Sequence, residues 1–160
     1  LETEWSALVS TIEDNVPRFL KSRRTFQFPR IEEGEGHPAD SYQHLLSVQS
    51  RDGVAYAVAS VHLARAVFER APEDFRSRTA LPMLSKLDGI NISRARQTLV
   101  IGGADPEMST LLKIALGAPT AEARCVVTNG DNIVIYVGEI VYRGDCVKLD
   151  GEILAGLMRD

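Results

Sequence analysis

The residues best suited to chemistry cluster early in the chain. Between Arg18 and Arg30 (RFLKSRRTFQFPR) five basic side chains, Arg18, Lys21, Arg23, Arg24 and Arg30, fall within 13 positions that hold no acid, interleaved with Phe19, Phe26 and Phe28. Cations contact phosphates and aromatic rings stack on bases, so the segment suits single-stranded nucleic acid, a nucleotide phosphate or an acidic partner. Phosphate contacts position a ligand without reading sequence, so no sequence-specific recognition is implied. A purely structural reading competes with this one. Cations are favourable at a helix C-terminus, the phenylalanines suit a core, and residues 1–15 and 31–40 each carry four acids able to neutralise the patch. If the patch is open, its binding residues are Arg18, Lys21, Arg23, Arg24, Phe26, Phe28 and Arg30.

Other reactive groups are more dispersed. His37, His44 and His62 have no metal-ligand spacing. His37 lies in a Gly- and Pro-rich loop with Asp40, and Glu139 lies near Asp131 and Asp145; a small hydrolase or nuclease would use His37 or Glu139. No nucleophile with a positioned base accompanies either, and turn chemistry accounts for the two aspartates. The segment Thr98–Gly117 (TLVIGGADPEMSTLLKIALG) reads as strand, glycine turn and helix, or as helix–turn–helix with Ser93–Ile101 as its first helix. Asp105 and Glu107 place negative charge where either reading needs a phosphate. Cys125 and Cys146 form no CxxC pair and have no adjacent His, which is neither a zinc pattern nor a disulfide framework. Free thiols are expected, although a single bridge between strands remains open. No cofactor or metal is implied.

These groups must be positioned by elements read from periodicity. Trp5, Leu8, Val9, Ile12, Val16, Phe19 and Leu20 recur at helical steps and predict a helix over 3–23, kinked at Pro17. Residues 29–40 read as a loop. A short helix is expected from Asp40 to Asp52-Gly53, and another over 54–70 (VAYAVASVHLARAVFER), because its alanine density outweighs the hairpin that Asp52-Gly53 would allow. Its Ala/Val face is the favoured surface for assembly. Short helical turns follow over 73–88. Residues 93–101 fit a helix or a strand, and Asp105-Pro106-Glu107 starts a helix running to Gly117. Strands at 124–128, 132–142 and 146–149 make a meander, with a last helical turn over 152–158. Only three of the 12 glycines precede residue 89, which supports a helical first half.

Composition bounds the rest. The chain has 160 residues, 44% hydrophobic and 25% charged, with a net charge of −4. That is one domain's worth, large enough for a core without disulfides or metal. Residues 1–80 carry 10 basic and 12 acidic side chains, and 81–160 carry 8 and 10, so neither half is a basic nucleic-acid domain. Arginine outnumbers lysine 14 to 4, a bias that base composition explains as well as phosphate binding. No apolar run approaches the ~20 residues of a membrane span, and a cytoplasmic setting is expected. The chain opens on Leu1 rather than Met, which suggests a domain excised from a longer polypeptide.

The sequence therefore predicts a single α+β domain over 1–160, with a helical part over about 1–88 and a mixed part over about 89–160. Its expected role is a non-catalytic protein-interaction, assembly or regulatory module, with a protein partner or a second copy. Nucleic-acid or phosphate binding through 18–30 is the alternative, and a small hydrolase or nuclease the third.

Overall fold

The computed structural model describes residues 16–148. Its framework is one sheet of seven strands: β1 (Val16–Thr25), β2 (His37–Pro38), β3 (Tyr42–Arg51), β4 (Val54–Ala64), β5 (Ile92–Gly103), β6 (Pro119–Asn129) and β7 (Ile133–Arg143). Six of them run in the antiparallel order β1-β3-β4-β7-β6-β5, and the two-residue β2 adds a parallel bridge to β7. Between β4 and β5 lie α1 (Arg65–Phe68), α2 (Pro72–Ser77) and α3 (Ala80–Lys86); α4 (Pro106–Leu112) joins β5 to β6, and a 3-10 turn (Gly144–Cys146) follows β7.

The molecule is mainly β, which overturns the expectation of a helical half beside a three-stranded meander. Residues 16–23 of the expected first helix belong to β1, where Pro17 is tolerated because β1 is an edge strand; the remainder of that helix, and the turn expected over 152–158, lie outside the described residues. Residues expected as helices over 40–53 and 54–70 form β3, β4 and the single turn α1. Asp52 and Gly53, at φ 51° and 76°, make the tight hairpin turn that needs two positive dihedrals. Consequently the Ala/Val face proposed for assembly is mid-sheet and largely buried. Residues 93–101 are strand, which removes the helix–turn–helix. The short turns over 73–88 match α2 and α3. The helix start at Asp105 is also observed: its Oδ1 accepts from Met108 N at 2.8 Å, although the helix ends at Leu112, with Lys113 left-handed. The third meander strand is replaced by the 3-10 turn as far as Cys146.

Side chains alternate across each strand, so the register sorts them into two faces. Face A carries the rows Leu45–Val61–Gly138–Cys125 and Ser47–Ala59–Ile140–Ala123; face B carries His44–His62–Val137–Val126 and Leu46–Ser60–Glu139–Arg124. On face A, Phe68, Phe75, Leu81 and Leu84 from α1–α3 pack onto Leu45, Leu63, Val127 and Tyr136. On face B, Leu112 of α4 meets Val48 and Val58, and Ile31 from the segment between β1 and β2 meets Val126, Val134 and Val137. The central strands are thereby covered on both sides.

The 26–40 segment is fastened to face B by polar groups. Arg124 donates through Nη1 to Glu35 Oε1 at 2.6 Å and through Nη2 to Oε2 at 2.9 Å, with side chains only 10% and 4% exposed. The Thr128 hydroxyl donates to the Glu35 carbonyl at 2.8 Å, and the Tyr42 hydroxyl accepts from Ala39 N and donates to Val134 O. The Arg124 hydrogen bond holds the Glu35 carboxyl below its ordinary pKa, although burial works to raise it. Removing one partner of a buried pair leaves the other uncompensated.

Cross-strand pairing also stacks two histidines that the sequence keeps apart. His44 and His62 lie opposite one another with ring centroids 4.6 Å apart, and His44 Nε2 is 2.9 Å from Ser60 Oγ. Burial, then the neighbouring His62, Lys21 and Arg23, lowers the His44 pKa from 6.5 to about 4; burial lowers His62 as well. Both rings are therefore neutral near neutral pH.

Two outcomes follow from these contacts. Glu35→Gln should cost about 3–5 kcal/mol in urea unfolding at neutral pH. Because the folded carboxyl titrates below its ordinary 4.5, the gap between wild type and variant should narrow as pH falls below that value. For the depressed His44, its stabilising contribution is complete above 6.5 and lost as pH falls toward about 4. The wild-type urea midpoint should thus drop between about pH 7 and 5, and His44→Gln should flatten that drop.

Candidate functional site

A cleft opens on face A beside the helical cover. Its floor is laid by Leu45, Ser47 and Gln49 of β3, Ala59 and Val61 of β4, and Tyr136, Ile140 and Tyr142 of β7. Cys125 and Gln97 extend the floor along β6 and β5, while Phe19 of β1 and Thr79–Leu81 at the start of α3 form the walls. The empty space measures about 650 Å3 out to its open mouth. Its depth comes from small residues. Ala59 stands between Ser47 and Ile140 in the transverse row, and at Gly138 an added Cβ would come within 2.8 Å of Tyr136 Cζ, so the Tyr136 ring lies over a position that has no side chain.

The lining is almost entirely apolar, with a few specific polar atoms. Gln49 is 5% exposed; its Nε2 donates to Ser47 Oγ at 3.0 Å, while its Oε1 has no hydrogen-bond partner within the chain. Thr79 occupies the N-cap position of α3, where a threonine hydroxyl ordinarily accepts from the helix backbone. Here it makes no such bond, and the buried Oγ1 is also unpartnered. Buried polar atoms are almost always satisfied, and these two share one cleft, where a ligand or water can meet them. Burial pushes the Cys125 thiol and the Tyr142 phenol up to about 12, and it raises the Tyr136 phenol well above its ordinary value. A thiol so raised is a poor nucleophile. This arrangement is equipped to bind, with no activated group at hand.

Apart from Phe19 and Cys125, the residues singled out from the sequence lie elsewhere. Arg18, Lys21, Arg23 and Arg24 project from the exposed edge strand β1, and adjacent residues there point to opposite faces: Arg23 stands opposite His44 and Arg24 opposite Gln43. Arg24 lies over the Phe26 ring at 4.7 Å, Phe28 meets Tyr42 edge-on, and Arg30 sits 3.8 Å from Glu32 and 4.0 Å from Glu139. The register therefore keeps Arg18, Lys21 and Arg23 on face B and sends only Arg24 to face A, and of that segment only Phe19 reaches the cleft. His37 is exposed on β2, Glu139 faces the other side of the sheet, and neither lines the cleft. Cys125 is buried, Cys146 is exposed, and both are free. No three His, Cys, Asp or Glu side chains are grouped for a metal among the described residues. Nor is any helix there long and apolar enough to cross a membrane, which leaves strand-built spans aside. Gln49 and Thr79 escaped sequence reasoning because neither carries a motif; a buried Gln in a strand shows only once its neighbours are placed.

Residues 35–148 match the family model described as the UTRA domain. Comparison with curated proteins gave no match. Among solved structures the chain is similar to YydK of Bacillus subtilis, described as a possible transcriptional regulator, at 11% identity and a TM-score of 0.69, over 88% of this chain and 62% of that one. It is similar to a GntR-family transcriptional regulator from Enterococcus faecalis at 16% identity and a TM-score of 0.69, over 85% and 99%. It is similar, too, to the effector domain of PhnF from Mycobacterium smegmatis at 17% identity and 0.68, over 88% and 87%. At such identities the structural likeness is one of fold, and the chain spans less than two thirds of YydK. The family match, in contrast, covers most of the sequence: this chain belongs to the UTRA domain family.

Proposed function

We propose that the chain is the sensing module of a transcriptional regulator, taking a small-molecule effector into the cleft between face A and α3. The observation that carries this reading is the pair of buried, unpartnered polar atoms, Gln49 Oε1 and Thr79 Oγ1, on one apolar cleft. Family membership and the descriptions of the solved neighbours, as transcriptional regulators and as an effector domain, agree with it. The cleft walls supply a route for coupling. Phe19 belongs to β1 and Thr79 to the start of α3, so a ligand touching both ties the helical cover to an edge strand. An effector that prefers one spacing of these walls shifts the population toward it, and a DNA-binding segment of the parent polypeptide attached through β1 would read that shift.

A second reading keeps the basic edge strand. Arg18, Lys21, Arg23 and Arg24 are exposed, as phosphate or nucleic-acid binding through 18–30 requires.

Both readings are open to measurement. A small-metabolite fraction containing the effector at about 100 times its Kd should stabilise the chain by about 2.7 kcal/mol, slow amide exchange over residues 79–86, and have no effect on Ala59→Trp, whose ring fills the cleft. An unchanged response in Ala59→Trp would place the ligand elsewhere. For the basic strand, single-stranded RNA should bind at low salt and weaken steeply as salt rises, and the Arg23→Ala, Arg24→Ala pair should reduce the slope by about two charges; absence of low-salt binding ends that reading.

A further inference from the structure

The cleft lining limits what can enter it. None of the residues that form it is Lys, Arg, His, Asp or Glu. Its ionisable groups are Cys125, Tyr136 and Tyr142, all held neutral by burial. An anionic ligand would shed its hydration and find no counter-charge, and a cation would find no carboxylate; moving an isolated charge into such surroundings is among the costliest transfers in protein chemistry. At Gln49 the unpartnered atom is an acceptor, Oε1, which does not welcome an anion, while Nε2 donates one of its two hydrogens to Ser47.

What the lining does ask for is a hydrogen-bond donor at Gln49 and a donor or acceptor at Thr79, set in apolar surroundings of Phe19, Leu45, Val61 and Ile140. We infer that the effector is an uncharged, mainly apolar small molecule whose hydroxyl or amide group pairs with Gln49 and Thr79. This inference rests on the cleft being the effector site.

The experiment compares ring-matched probes on the full 160-residue chain by amide chemical-shift titration. Benzamide and benzyl alcohol are the neutral pair; benzoate and phenyl phosphate are the anionic pair. The neutral pair is expected to move the amide signals of Gln49, Thr79, Gln97 and Cys125, with the anions at least tenfold weaker. Gln49→Leu should weaken benzamide about tenfold while unfolding in urea at or above the wild-type midpoint, since it deletes a buried unpaired acceptor. Tighter binding of benzoate or phenyl phosphate at these residues, or undiminished benzamide binding in Gln49→Leu, overturns the neutral-ligand inference and leaves the cleft as an effector site. If neither pair moves these residues, the effector-site reading itself fails, and the inference fails with it.

Discussion

Strands β4, β7 and β6 lie beneath α1–α3 on face A and beneath α4 and the 26–40 segment on face B, so each must offer side chains fit for burial in both directions. Everything else follows from that double cover. It sets the core, because Leu45, Leu63, Val127 and Tyr136 can be dry only while the helices stay down. It also demands fastening, since a segment as polar as 29–40 has little apolar surface with which to hold itself against a sheet. The bidentate Glu35–Arg124 pair and the Tyr42 hydroxyl supply that fastening. Where the helical cover stops short, at Thr79, the uncovered part of face A becomes the cleft.

The two faces divide the chemistry between them. Face B gathers the charges and titrating rings: Arg124 with Glu35, Arg30 near Glu139, and the His44–His62 stack. Face A at the cleft is uncharged. Since a sheet places neighbours on opposite sides, a single strand serves both: Ala59 floors the cleft while Ser60, next in sequence, meets His44. Such an arrangement lets the cleft side vary in shape without disturbing the electrostatics that hold the loop.

Double cover is also why much of the fold was illegible in the sequence. A strand buried on one face alternates; a strand buried on both does not. In β4 (VAYAVASVHLA), Ala57, Ala59, Val61 and Leu63 face one side and Val58, Ser60 and His62 the other, and with apolar residues on both sides Val54, Ala57, Val58, Val61 and Ala64 fall by chance into helical spacing. Scarcity of glycine misled in the same way, because strands avoid it as helices do. Signals with local causes survived: the Asp105 cap, the strands expected at 124–128 and 132–142, which fall in the longer β6 and β7, and the short turns over 73–88. Asp52-Gly53 was a true hairpin signal outvoted by alanines. Of the candidate site, only Phe19 stood in the segment that the sequence marked. The basic residues around it are conspicuous by type, but the cleft is made by which residues lie opposite one another, and register is a tertiary fact.

Gly138 gives this architecture an evolutionary handle. The Tyr136 ring rests where the side chain of residue 138 would begin, so the shape of the cleft floor is held by a missing carbon. Any substitution there must lift the phenol, and it would do so from the middle of the sheet, far from the loops where specificity usually drifts. A single codon change at this position would therefore reshape the cleft floor from within the sheet, at the expense of the packing of Tyr136, while the loop fastening on the other face is left as it is.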